Sequence, residues 1–308
     1  MGRKAVFILV ILGLIAAFEV AYYIRYGVEP ITEAVKPKIR EVSLSWGDVA
    51  YDFTEIIADV SVYNPSPIPI TLKKVTFTLY MNNIKMITGS SEGAVNLASF
   101  QETVIRLVGT LNNSGIPDWF ISHLKNGERT DVRLSGEVTF DLRLIELTRP
   151  FEQTLNITTS LLAGMNTNQA ETLRIGPVEL TLKSLTSSWG KITPEEIEIN
   201  HKAVIYNPNP YPIPITKLEY EIYMNNIKMG GGTTYNPVIL GAEKDTVILF
   251  TTLLDDSLLD EWWITHIKNG EKTKITIEIY SVIEIHNVAY KIKIYEIEQN
   301  ITTNILAF

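Results

Sequence analysis

The sequence predicts a mostly β protein: two tandem β-sandwich domains, each with one short helix, behind a single transmembrane helix. Three observations carry this. The heptapeptide YMNNIKM at residues 80–86 recurs unchanged at 223–229, 143 positions later. Apolar and polar residues alternate with period two through much of each copy, the spacing of a strand with one buried face. A long apolar run opens the chain and has no counterpart further along.

The opening run sets the membrane expectation. After MGRK comes AVFILVILGLIAAFEVAYYI at residues 5–24, interrupted only by Glu19. About 20 helical residues reach roughly 30 Å, the thickness of a bilayer core. Tyr22, Tyr23 and Tyr26 fall where an interfacial aromatic belt would lie. A cleavable leader ending at Ala16 and Ala17 competes with this reading. Ile15 would then stand where cleavage prefers a small residue, and apolar residues continue beyond it, which favours an uncleaved anchor. Glu19 either snorkels toward the interface or contacts another membrane helix. Basic residues flank both ends, so the positive-inside rule does not orient the span; the short amino-terminal tail favours domains outside the cytoplasm. The Asn-x-Ser/Thr triplets at Asn112, Asn156 and Asn300 are as many as composition alone produces and carry no weight. The expectation is a single-pass protein of the cell membrane, with an anchor and linker over 1–37.

Shifting the chain by 143 positions aligns its halves. SWG at 45–47 meets SWG at 188–190, and WFISHLKNGE at 119–128 meets WWITHIKNGE at 262–271. YNPSPIPIT from Tyr63 meets YNPNPYPIPIT from Tyr206, with two residues added and then recovered. LNITT at 155–159 answers QNITT at 299–303. A long period repeated twice reads as duplicated domains rather than a solenoid. The boundaries expected are 38–160 for the first domain, 161–180 for a linker and 181–308 for the second.

Each element follows in order. Thr54, Ile56, Ala58, Val60 and Val62 alternate with Glu55, Ile57, Asp59, Ser61 and Tyr63, and Ile197, Ile199, His201, Ala203 and Ile205 repeat the pattern. The prolines after Asn64 and Asn207 remove amide donors, so they suit a crossing or an edge. Val75, Phe77 and Leu79 form the next strand, as do Leu218, Tyr220 and Ile222. Asn82–Asn83 and Asn225–Asn226 fit two-residue hairpin turns, because asparagine tolerates left-handed backbone. Further strands fit 95–111, 132–144 and 151–159. Within SGIPDWFISHLKNGE, Pro117 suits a first helical turn and Gly127 the residue past the end, so one helix is expected here and in the second copy.

Asn64, Pro65, Pro69, Ile70, Tyr80 and Gly89, with Asn207, Pro208, Pro214, Ile215, Tyr223 and Gly230 in the second copy, carry a family resemblance. An Asn-Pro after a strand, a Pro-Ile, a Tyr-containing strand, a polar turn and a glycine resemble the late embryogenesis abundant group-two proteins, the water stress and hypersensitive response domain. The resemblance covers about residues 40–160 and 180–308. It implies immunoglobulin-like sandwiches of the fibronectin type III kind. It also implies a role in desiccation or stress protection, often with membrane association, and brings no catalytic residues.

Composition points the same way. A formal charge of −8 argues against a general nucleic-acid binder, and the absence of cysteine removes thiolate metal sites and thiol nucleophiles. His123 and His266 are repeat equivalents beside a tryptophan and read as packing residues; none of the four histidines has metal-ligand spacing. MGGGTT at 229–234 leaves a hairpin instead of joining strand to helix, so it is no phosphate loop. DDSLLDE at 255–261 lacks calcium-loop spacing and reads as an acidic helix start. No enzyme, cofactor or metal is expected. The expected function is binding or stabilising macromolecules or envelope surfaces under stress, with proteins, lipids or envelope surfaces as partners. Lipid or apolar-ligand transfer is the first alternative, and a structural or adhesion spacer the second.

Overall fold

The computed structural model describes residues 37–141, 146–162, 166–175, 178–194, 196–215, 217–234, 237–285, 288–302 and 306. The anchor expected over residues 5–24 lies outside the described residues. Among the described residues no helix is long and apolar enough to cross a membrane. The chain divides into two compact units between Thr158 and Thr159.

The first unit runs β1 (Lys38–Val49), β2 (Phe53–Tyr63), β3 (Ile70–Met81), β4 (Ile84–Ser91), β5 (Val95–Leu97), β6 (Glu102–Asn112), helix α1 (Ile116–Lys125), β7 (Arg129–Asp141) and β8 (Glu146–Thr158). All pairings are antiparallel, in the order β1-β2-β6-β4-β3-β7-β8, with β5 added beside β3. Val60, Val62, Ile105 and Leu107 on one half of this sheet are 2% exposed or less, as are Leu72, Val75, Val138 and Phe140 on the other. One ten-residue helix cannot cover both halves. They cover each other, as the alternation requires.

The fold is of the β-sandwich type, with one difference from two separate sheets. β4 hydrogen-bonds to β3 along one side and to β6 along the other, so the layers join into one continuous sheet. A glycine makes the close approach possible. A Cβ on Gly89 would lie 2.2 Å from Cζ of Phe77 and 2.5 Å from the Val108 carbonyl. The Phe77 ring therefore crosses over β4 and comes near Gly109 on β6. The single strand expected over 95–111 also breaks, because Phe100 adopts a φ of 57° between β5 and β6.

The second unit runs β9 (Glu171–Ile175), β10 (Val178–Ile192), β11 (Ile197–Asn207), β12 (Ile213–Ile215), β13 (Leu218–Met224), β14 (Ile227–Thr233), β15 (Val238–Leu240), β16 (Lys244–Leu254), helix α2 (Leu259–Lys268), β17 (Lys272–Ile285) and β18 (Val288–Thr302). Its sheet order is β18-β17-β13-β14-β16-β11-β10-β9, and β12 pairs with β15 separately. Leu180, Leu240 and Ile248 form a buried cluster against which Ile213, Ile215 and Phe250 pack, so β12 and β15 close one end of the core. The segment expected as a linker needs correction. β9 pairs with β10 from Glu171↔Leu182 to Ile175↔Val178, so 161–180 contributes strand to this unit. Leu173 and Ile175 alternate with Thr172 and Arg174 and pair with Leu180 and Val178 across the turn, a short period-two pattern.

The duplication extends to irregularities. Bulges interrupt β1 between Trp46 and Val49 and β10 between Trp189 and Ile192. A Cβ on Gly47 would meet Glu55 Cβ at 2.8 Å, and one on Gly190 would meet Glu198 Cγ at 2.8 Å. The repeated SWG is thus the bulge itself, with glycine where the partner strand presses closest.

Candidate functional site

The repeated motifs form three joints in each unit. The first is the Asn-Pro segment. Asn64 is 1% exposed and its Nδ2 donates to the carbonyls of Ile68 and Leu97, both at 3.0 Å, while Oδ1 accepts from Ser66 N at 3.0 Å. Asn207 is fully buried and donates to Tyr211 O at 2.9 Å and Leu240 O at 3.0 Å, accepting from Asn209 N at 3.0 Å. Pro65, Pro69, Pro208 and Pro214 give the chain an extended course with few amide donors of its own. The asparagine supplies the missing bonds. Pro214 enters β12 opposite Ile239, and Ile70 and Ile215 take up strand pairings.

The second joint explains the exact heptapeptide. Asn82 and Asn83 have φ of 51° and 65°, and Asn225 and Asn226 have 51° and 68°, as a two-residue hairpin demands. The first asparagine of each pair also clasps two other elements. Asn82 Nδ2 donates to Ser122 Oγ on α1 at 2.9 Å, and its Oδ1 accepts from Asp131 N on β7 at 2.8 Å. Asn225 repeats both contacts with Thr265 Oγ1 at 3.0 Å and Lys274 N at 2.9 Å. Tyr80 stands beneath the Arg133 guanidinium at 4.3 Å, whereas Tyr223 donates to Glu221 at 2.7 Å.

The third joint ties each helix to the strand after it. Thr130 Oγ1 meets Trp119 Nε1 at 2.9 Å and His123 Nδ1 at 2.7 Å; Thr273 Oγ1 meets Trp262 Nε1 at 3.0 Å and His266 Nδ1 at 2.7 Å. Both histidines are 1% exposed, and burial pushes their pKa down. The acidic stretch before α2 caps the short 3-10 turn Asp256–Leu258 that leads into it, with Asp255 Oδ1 accepting from Ser257 N at 3.1 Å. Among the described residues no group of three or more His, Asp or Glu could hold a metal ion.

Gly89 pairs with Phe77, and the residue with that role in the second unit is Gly232, opposite Tyr220. Gly230 faces Ile222 instead, with a φ of 154°. The triple glycine forms the floor of an open groove of about 580 Å³ with Glu198, Glu219, Glu221, Lys228 and Lys291 among its walls. Hydrogen bonds from Lys228, Lys291 and Tyr223 hold Glu221 down at a pKa of about 2, and Glu221 in turn pushes Tyr223 up to about 12. These groups neutralise one another, leaving a charge lattice.

The alternation that sets His201 at the place of Ala58 gives its inward face but not its partners. His201 is 5% exposed in the second core. Its Nδ1 lies 2.9 Å from Ser187 Oγ and its Nε2 2.8 Å from Thr252 Oγ1. Tyr220 donates to Thr251 O at 2.7 Å and meets Thr252 Oγ1 at 2.9 Å, and Phe250 stacks on the imidazole at 4.6 Å. The first unit has Leu44, Ala58, Gly109 and Phe77 at the places of Ser187, His201, Thr252 and Tyr220. Comparing the two copies position by position reveals this joint shift from apolar to polar.

The late embryogenesis abundant protein family model, LEA_2, matches residues 59–155 and 202–288. No curated protein matches the chain. Among solved structures, a protein from Archaeoglobus fulgidus is 29% identical, with 41% of this chain and 100% of that one covered and a TM-score of 0.36. A protein from Arabidopsis thaliana is 22% identical, covering 42% of this chain and 88% of its own, with a TM-score of 0.27. The three joints fall within or beside both matched stretches, and the chain belongs to the late embryogenesis abundant group-two family as two tandem copies of its domain.

Proposed function

We propose that this is a non-enzymatic protein of the desiccation- and stress-protection type. Residues 5–24 anchor it in the cell membrane, and both β units work outside the cytoplasm by binding or stabilising macromolecules or envelope surfaces. Each unit is read as a fibronectin-type-III-like sandwich, a reading its strand order supports. Family membership supports the stress role. The observation that carries the binding role is an apolar stripe on the outer face of β16. Val247, Leu249 and Leu253 are 51%, 71% and 38% exposed. In the first unit Arg106 and Thr110 stand where Leu249 and Leu253 do, and Arg106 is engaged by Asp59 through two bonds of 2.7 Å. A water-facing apolar row among polar groups suits weak contact with loosened protein or lipid.

The test uses the full chain reconstituted in phospholipid vesicles together with a drying-sensitive enzyme. After drying and rehydration, enzyme activity and vesicle contents should survive better than with an equal mass of albumin. L249K/L253K should lose that advantage while melting unchanged. Protection no better than albumin refutes the proposal.

A further inference from the structure

The geometry points to a homodimer formed by antiparallel pairing of β18 with β18 of a second copy of this chain. The inference rests on the edges of the sheets. An unpaired edge strand offers a row of backbone donors and acceptors to another strand, and proteins blunt such edges with prolines, bulges or short length. Three edges here are blunted: β9 is five residues long, β1 carries two bulges, and β8 has Pro150 in its middle. β18 is less protected. It runs 15 residues without proline, its single bulge lies at residue 294, and among the described residues only β17 pairs with it.

The duplication sharpens the contrast. Pro150 pairs with Glu137, and the equivalent pair in the second unit is Lys293 with Tyr280. Proline in a sheet turns its nitrogen to the open side of an edge strand and withholds the donor there. The first copy is closed to strand addition at the position where the second has an ordinary amide.

Charge identifies the occupant. Lys291, Lys293, Glu296 and Glu298 have side chains 36%, 46%, 36% and 49% exposed. Lys293 reaches Glu296 of its own strand at 2.6 Å; the bulge at residue 294 puts these two on one face, opposite Tyr280 and Glu278. A two-fold axis midway between residues 294 and 295 sets Lys293 opposite the second copy's Glu296, and Lys291 opposite its Glu298. The symmetry repeats both pairs, so the same patch complements itself, as an isologous interface must. These lysines already contact Glu221 and Glu278 within the chain. An ammonium has three N–H groups and a carboxylate about four acceptor sites, so a second strand adds to the lattice without dismantling it.

The experiment measures the oligomeric state of the full chain in detergent by light scattering and sedimentation. A dimer is expected. K293P, which copies the first unit, should be monomeric with an unchanged far-ultraviolet spectrum and melting curve. K291E/K293E and E296K/E298K should each dissociate about tenfold more readily, since attraction becomes repulsion at four cross-strand pairs. Mixing these two variants should restore the dimer, because every opposed pair is again Lys with Glu. The chain lacks cysteine, so K293C mixed with E296C should also form a disulfide-linked dimer. A monomeric wild type overturns the inference. So does a dimer that survives K293P, or charge variants that fail to complement while remaining folded.

Discussion

Asn207→Ala should destabilise the second unit by about 3 kcal/mol. The side chain is fully buried and makes bonds of 2.9 and 3.0 Å to the carbonyls of Tyr211 and Leu240 and one of 3.0 Å from Asn209 N. At about 1 kcal/mol net for each backbone partner, the three sum to the stated figure. The Asn209 amide also reaches Oδ1 at 2.7 Å, but it is half-buried and turns to water at little cost. A unit of roughly 140 residues unfolds with an entropy near 0.3 kcal/mol/K, so its melting point should fall by about 10 °C. Asn207→Asp keeps the shape and the bond from Asn209 N but loses both donors, and should be at least as damaging. The assay is denaturant unfolding of the full chain followed by hydrogen exchange, reading peptides of the second unit against those of the first. A loss below about 1 kcal/mol for Asn207→Ala, or a neutral Asn207→Asp, would show that the prolines hold the segment without the asparagine.

Acid should act unequally on the two units. Burial lowers the pKa of His123 in the first unit and of both His201 and His266 in the second. A histidine held neutral in the fold contributes stability that is full above its unfolded pKa of about 6.5 and lost as pH falls toward the lower folded value. Each contributes a slope of at most about 1.4 kcal/mol per pH unit. The second unit should therefore lose stability more steeply below pH 6.5, and His201→Ala should bring its slope to that of the first, as unit-resolved hydrogen exchange would record. Gly89→Ala should cost more than about 3 kcal/mol, because the added carbon meets the Val108 carbonyl at 2.5 Å where no side chain can yield; urea unfolding would measure it. Asn83→Val should cost about 1–2 kcal/mol, since a branched residue resists a φ of 65°, whereas Asn83→Gly should be near neutral. Asn82→Ala should loosen α1 from the hairpin, raising exchange in α1 and at Asp131 before it does so in β2.

The joints were legible in sequence to different depths. Asn82–Asn83 announced a turn through local backbone chemistry, and the turn is there. Nothing local announced that Asn82 also clasps α1 and β7, because Ser122 and Asp131 are 40 and 49 residues away. The family motif was read onto Gly230, yet Gly232, which the shift of 143 sets against Gly89, makes the close approach. Ser187, His201 and Thr252 lie on three different strands, and each alone looks unremarkable. β9 was read as linker because the alternation of Leu173 and Ile175 with Thr172 and Arg174 lasts only five residues.

By itself the sequence determined the duplication, the alternating strands, the hairpin asparagines, the helix of the third joint and the family. These depend on neighbours within a few residues, where backbone sterics and period-two burial act directly. Tertiary structure alone decided that β4 and β14 join the two layers, that a polar network replaces apolar core in the second copy, and that, among the described residues, β18 has an open edge. Each of those depends on which distant strands become adjacent. The same alternating pattern suits many partners, and register selects one of them.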